Sequence, residues 1–337
     1  MKRQVLLLKR RVIIDTDPGI DDALALIFAI HSPELQIEGI TIAPGNVKSE
    51  IGATNVLRVL DIVGNTAIPV FYGAKAPLFR KLIPATRIHG EDGLGDCGWP
   101  TTKRSVMEQS GVDYLIEQVK SSPKELTLIC LGPLTNLALA IAKDPDAIAL
   151  FKEIVIMGGA ARVAGNVSPV AEFNFWSDPE AAHQVLEWSK VPLVVIGLDV
   201  TRQTLLTPLH LKFLKHQGTP LSDWLVKLTL HYLNIHWELN GIVGCTLNDP
   251  LAVLAAFMPE LLTFQDYSVD VATDGLCRGQ MVVDYTELWG KRRNARLATD
   301  VNVDAFLEEF LVRILKDDSV TVDMVHAYLQ ASELPRT

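Results

Sequence analysis

The sequence predicts a doubly wound α/β fold: one domain with a mostly parallel central sheet, helices on both faces and an active site at the carboxyl ends of the strands. Three observations carry that reading. Short β-branched runs, apolar on both faces, recur along the chain. Each is followed by a Gly, Pro or Asp cluster, and each cluster opens a segment with helical periodicity.

Val12-Ile-Ile14 leads into Asp15-Thr-Asp-Pro-Gly19 and then the apolar stripe Ala23, Leu24, Ile27 and Phe28. Ile37 to Ile42 meets Pro44-Gly45-Asn46 and a helix carrying Ile51, Val56, Val59 and Leu60; Ala67 to Phe71 is a further strand. Tyr72 to Pro100 is rich in Gly, Pro and charge without a clear element, and is expected to be a surface loop or an active-site lid. Leu126 to Leu131 meets Gly132-Pro133 and the helix Leu134 to Ala142. Glu153 to Met157 ends in Gly158-Gly159, and the apolar run Pro192 to Leu198 ends in Asp199. Thr219 to Leu247 reads as a helix on Leu221, Leu225, Leu228 and Tyr232, ending near Asn240-Gly241. The last third returns to strands near Gln280 to Asp284 and Arg296 to Val301, with helices at Asp304 to Lys316 and Val322 to Ala331. No repeat, linker or composition break divides residues 1–337, so one domain is expected, with 1–10 as an N-terminal extension.

Composition narrows the function. Apolar residues make up 48% of the chain and charged residues 21%, enough to bury a large core. Lys and Arg total 31 against 40 Asp and Glu, a formal charge of −9 with no long basic run. Nucleic acid and membrane surfaces are therefore not expected partners. No apolar stretch approaches the ~18 residues of a membrane span, and Val5 to Leu8 is too short for a signal-peptide core, so a cytoplasmic protein is expected. Cys97, Cys130, Cys245 and Cys277 contain no C-x-x-C pair and are expected as small buried hydrophobes.

The most specific feature is Asp15-Thr-Asp17-Pro-Gly-Ile-Asp21-Asp22, four carboxylates within eight residues after a strand and at a helix start. Helix capping and the macrodipole account for one or two of them. Four together repel one another unless a cation sits among them. All-oxygen donors favour a hard ion, and so dense a cluster suits Ca²⁺ better than Mg²⁺, which keeps its waters. An EF-hand is a poor match, with Ile20 and Leu26 where Gly and Glu are needed. A Mg²⁺-dependent phosphohydrolase with Asp15 as nucleophile is a better rival, although Gly19 stands where Thr or Val is wanted and Asp21-Asp22 is left unexplained.

The full string resembles the signature of the inosine-uridine preferring nucleoside hydrolase family. The likeness continues through Thr41 to Asn46, Gly132 to Asn136, Met157-Gly-Gly159, Gly165-Asn166, Ala171 to Asn174, Asp178 to Ala182 and Asn248-Asp249-Pro250. The resemblance implies a Ca²⁺-dependent nucleoside N-ribohydrolase that releases ribose and free base. It implies Ca²⁺ bound by Asp17, Asp22, Asp249 and the carbonyl of Leu131, with Asp15 and Asp21 in support and Asp17 as general base. It places Asp21, Asn46, Asn166, Glu172 and Asn174 on the sugar. It also implies a homodimer or homotetramer. One departure stands out: family members carry His before the Asp-Pro, where it is thought to protonate the leaving base, and here the residue is Asn248, an amide without a labile proton. His89, His231, His236 and Trp237 are the remaining candidates for leaving-group contacts, and Trp176 or Trp237 for stacking on the base. The missing acid keeps a non-catalytic ribonucleoside-binding protein open as an alternative.

Overall fold

The computed structural model describes residues 9–332 except 66, 189 and 318. Most of the expected N-terminal extension lies outside the described residues, and Arg10 already begins the first strand.

The chain alternates strand and helix as its apolar runs require. β1 (Arg10–Thr16), α1 (Ile20–His31), β2 (Leu35–Ile42), α2 (Ser49–Ile62) and β3 (Val70–Tyr72) form the first half. The one-turn α3 (Thr86–His89) sits in the long connection to α4 (Gly111–Ser121), so Tyr72 to Pro100 is largely irregular, as expected. Then come β4 (Leu126–Cys130), α5 (Thr135–Lys143), α6 (Pro145–Ile148), β5 (Glu153–Met157), α7 (Phe173–Ser177), α8 (Pro179–Trp188) and β6 (Leu193–Ile196). Next are α9 (Leu198–Thr201), β7 (Leu205–Leu206), α10 (Pro208–His216), α11 (Pro220–Asn240), β8 (Cys245–Thr246) and α12 (Asn248–Ala255). β9 (Leu262–Val271), β10 (Met281–Asp284), β11 (Ala295–Val301), α13 (Val303–Leu315) and α14 (Val322–Ser332) complete the chain.

The main sheet has nine strands in the order β10-β9-β11-β6-β5-β4-β1-β2-β3. From β3 to β11 neighbouring pairs are parallel; β9 runs antiparallel to both β11 and β10. β9 escapes the sequence reading because Gln265, Asp266 and Ser268 break its apolar run near the sheet edge. Period-two alternation feeds two cores. Val12 and Ile14 of β1 face the one that includes α1, α12 and α13, and Ile13 faces the one that includes α5 and α8. β4, β5 and β6 divide their side chains in the same way.

One smaller expectation needs correcting and another holds. Cys130 and Cys245 are buried, but Cys97 is only partly covered and Cys277, in a tight turn at the sheet edge, is exposed. The helix over Thr219 to Asn240 is present and stops at Gly241 in the left-handed conformation (φ 66°), a stop that glycine makes without strain.

Candidate active site

Strand order reverses between β1 and β4: successive connections run outward to β2 and β3 on one side and to β5 and β6 on the other. The loops that leave β1 and β4 therefore diverge, and a crevice is expected at the carboxyl ends of these two strands. The acidic cluster lies there because β1 ends at Thr16 and α1 begins only at Ile20.

Local geometry fixes each acid. Asp15 accepts from the Thr41 hydroxyl and from Asn136 Nδ2 (2.7 Å). Asp17 Oδ2 accepts from the Asn46 amide (2.7 Å), while its Oδ1 is buried without a hydrogen-bond partner. Asp22 reaches back from the first turn of α1 to accept from the Gly19 N–H (2.8 Å), and also accepts from Thr16 and from Asn46 Nδ2 (3.1 Å). Asp21 accepts from Asn248 Nδ2 (3.2 Å). Two glycines let the backbone press on Asp17: a Cβ at Gly45 would stand 1.9 Å from Oδ2, and one at Gly132 2.5 Å from Oδ1.

All five acids, with Asp249 on α12, are at most 6% exposed. No lysine or arginine is among these hydrogen-bond partners. Burial therefore raises every one of their pKa values: Asp15 to about 7, Asp22 to about 6, Asp21 upward, and Asp17 and Asp249 well above the usual carboxylate range. Mutual repulsion adds to burial for Asp17, Asp22 and Asp249. Oxygens of Asp21, Asp22 and Asp249 all lie within 4.8 Å of one another. The expected ligand set thus differs in emphasis from this cluster: Asp21, read as a support of the shell and a sugar contact, belongs to it, and Asp17 stands beside it with Oδ1 unsatisfied. The Leu131 carbonyl accepts from Asn174 Nδ2 (2.7 Å) and keeps a second lone pair. A buried, oxygen-only, cation-poor set with an orphaned carboxylate oxygen fits a hard divalent ion.

A cavity of about 780 Å³ opens above the acids. Asp21, Asn46, Asn166, Glu172, Asn174, Asn248 and Asp249 line it. Glu172 caps α7, accepting from the amides of Asn174 (2.7 Å), Phe175 (3.2 Å) and Gly159 (2.9 Å), and burial moves its pKa to about 7. Asn166 is exposed on the preceding loop; its Oδ1 accepts from the Phe173 N–H (2.9 Å), which leaves Nδ2 to donate into the cavity. His89 is buried on the wall with Nδ1 accepting from the Ile20 amide (3.0 Å), and burial lowers its pKa to about 4. It is therefore a neutral Nε2–H donor facing the ring of Tyr232 at 5.7 Å. His236 also lines the cavity, bonded through Nδ1 to the Tyr232 carbonyl (3.0 Å).

Two candidates fall away from this wall. Trp237 is 57% exposed and lies outside the lining, because it points from the opposite side of α11. His231 also lies outside the lining and packs beside Gly95. Trp176 does reach the cavity, with the Arg278 guanidinium 3.9 Å from its ring centroid. Asn136 is a residue that sequence reasoning quoted without giving it work. It donates to Asp15 and the Ile42 carbonyl (3.0 Å) and accepts from Ala74 N–H (2.7 Å), tying three strand ends together. Its signal was its place in Gly132-Pro-Leu-Thr-Asn136. Thr16 and Thr41 lay inside quoted motifs without a role, and Thr246 and Arg202 carried no local signal.

Comparison with known proteins agrees with this geometry. The family model for inosine-uridine preferring nucleoside hydrolases matches residues 12–308. The chain is 36% identical to the probable uridine nucleosidase 2 of Arabidopsis thaliana, covering 91% of this chain and 98% of the relative. It is 37% identical to a pyrimidine-specific ribonucleoside hydrolase of Klebsiella pneumoniae, covering 90% and 97%. Among solved structures, a plant nucleoside hydrolase superposes with a TM-score of 0.87 at 34% identity (90% and 98% covered). A purine-preferring ribonucleoside hydrolase of Gardnerella vaginalis superposes with 0.85 at 35% (90% and 98%). Neither the phosphohydrolase nor the purely binding alternative survives this match. The chain belongs to the inosine-uridine preferring nucleoside hydrolase family and is a ribonucleoside hydrolase acting on N-glycosyl bonds.

Proposed function

We propose that the chain is a Ca²⁺-dependent ribonucleoside N-ribohydrolase in which Asp17 is the general base. The observation that carries this reading is the set of five buried, cation-poor carboxylates at the switch point, with Asp17 Oδ1 left without a partner. Asp17, Asp22, Asp249 and the Leu131 carbonyl would hold the ion, with Asp15 behind them and Asp21 shared between ion and sugar. When bound, Ca²⁺ supplies Lewis acidity and orients the ribose diol.

The protein's own groups do the rest. Asp17 takes a proton from the attacking water; its Oδ1, buried without a hydrogen-bond partner in the protein, is the oxygen open to that role. Glu172, Asn174, Asn46 and Asn166 hold the sugar, and the Glu172 carboxylate favours positive charge developing on the ring. Asn248 gives up no proton, since an amide has none to give at neutral pH. His89 and His236, both on the cavity wall, would hydrogen-bond the departing base.

Ribose release from inosine, uridine, cytidine and adenosine, measured with and without chelator, tests the reading. Release should vanish with the metal and return with Ca²⁺, and Asp17→Ala should lower kcat at least ~100-fold. Unchanged release by the metal-free protein would remove the ion, and wild-type release by Asp17→Ala would remove the base. We extend the reading to a cytoplasmic homodimer or homotetramer, on the ground that most soluble oligomers close symmetrically; a monomer by light scattering would end that part.

A further inference from the structure

We propose that Arg202 is a positioning residue for sugar recognition: it fastens the loop 161–172, which carries Asn166 and Glu172, to the body of the protein. The inference rests on the ribonucleoside reading above and adds a residue to it.

The loop leaves β5, crosses the cavity rim and ends where Glu172 caps α7. It is a tight structure. The Gly165 N–H donates to the Pro169 carbonyl (3.1 Å) and the Asn166 N–H to the Ala171 carbonyl (3.1 Å). A Cβ at Gly165 would stand 2.2 Å from two carbonyl oxygens. Such a loop keeps its shape but needs an external tie to keep its place. α9 and the residue that caps it, Arg202, supply one at each of two points. Asp199 accepts from the amides of Ala161 and Arg162 (both 2.8 Å), where the loop begins. Arg202 donates from Nη2 to the Gly165 carbonyl (2.7 Å), one residue before Asn166. Positions 199 and 202 are three apart, so both side chains leave the same face of this one-turn helix. Leu198, Val200 and Thr201 of α9 are buried, which makes it a firm anchor.

The consequence concerns one hydroxyl. With the ribose diol on the acids of the cavity floor, as that reading has it, the primary 5′-hydroxyl would lie toward the rim, where Asn166 Nδ2 is free to donate. Arg202 also reaches the cavity wall, but its Nη2 is committed to the Gly165 carbonyl, so it acts through Asn166 on the 5′ end of the sugar and not on the bond that breaks.

The test compares Arg202→Gln and Arg202→Lys with wild type on uridine and inosine and on their 5′-deoxy analogues, in Ca²⁺. Loss of one charge-assisted hydrogen bond should lower kcat/KM about tenfold on the ribonucleosides, mainly through KM, and by less than about twofold on the 5′-deoxy analogues. Arg202→Lys should recover part of the loss. Amide hydrogen exchange without substrate gives a second readout: residues 165–171 should exchange faster in Arg202→Gln, with the sheet unchanged. Equal losses on both substrate classes, or unaltered exchange in the loop, would overturn the role. Failure of the wild-type protein to release ribose would instead overturn the hydrolase reading, and the exchange measurement would still decide whether Arg202 fastens the loop.

Discussion

Replacing Asp249 by Asn should change stability in opposite directions with and without Ca²⁺. In the metal-free protein, Asp249 sits with an oxygen within 4.8 Å of oxygens on both Asp21 and Asp22. At an effective dielectric constant of about 20, that separation corresponds to about 3 kcal/mol of repulsion per ionised pair. Protonation within the cluster caps the total, so relief equivalent to one pair is the expected gain. For 337 residues the unfolding entropy is about 0.7 kcal/mol/K, and the gain becomes a rise of about 4 °C in Tm. The pH dependence has a definite sign. The folded pKa values of these acids are raised, so between about pH 4 and the folded values the folded state binds more protons than the unfolded chain, and metal-free wild type loses stability as pH rises. The advantage of the variant therefore opens above about pH 4 and is present at pH 8. In Ca²⁺ the order reverses, because wild type gains binding energy that the variant has partly lost. Thermal unfolding at pH 5 and pH 8, each with chelator and with Ca²⁺, checks all four corners. A variant less stable than wild type in chelator at pH 8, or one with an undiminished response to Ca²⁺, would refute the cation-site reasoning.

Other expectations follow from the same geometry. Gly45→Ala would drive a Cβ to 1.9 Å from Asp17 Oδ2 and should lower kcat at least ~100-fold in a protein that still folds by circular dichroism; near-normal turnover would show that Asp17 is not held by this contact. Asn248→His puts a titratable group beside Asp21, and kcat on inosine at pH 7 should rise up to about tenfold; no rise would mean that leaving-group protonation does not limit this enzyme. His210 is 7% exposed, accepts the Thr207 N–H at Nδ1 (2.9 Å), and burial lowers its pKa to about 4. The unfolded chain therefore takes up the proton first, and stability falls by up to about 3 kcal/mol as pH drops from about 6.5 to about 4. In Ca²⁺-loaded protein, His210→Gln should be less stable at pH 8 yet flatter across that window, and a slope matching wild type would remove His210 as its source.

Much of the fold was legible because a parallel sheet covered on both faces writes itself locally. Val12-Ile-Ile14, Glu153 to Met157 and Pro192 to Leu198 are apolar on both faces, and each is followed by its own turn cluster. β9 was not legible: near the sheet edge only four of its ten residues are buried, and nothing local distinguishes it from a loop. The acidic cluster announced the site, since four carboxylates in eight residues have no cheap structural purpose.

Sequence by itself determined what kinds of atoms this protein brings to its site and the strand ends that carry them. Tertiary structure alone decided which of them meet. Asp249 joins Asp21 and Asp22 only because α12 packs against α1 across more than 200 residues of chain. Trp237 and His236 are adjacent in sequence, yet the 100° step of a helix sends one to solvent and the other to the cavity. Arg202 gains a function only from the carbonyl it finds 37 residues away. Local chemistry is written in neighbouring residues, whereas a site is a set of distances between distant ones, and those distances are fixed only when the core has packed.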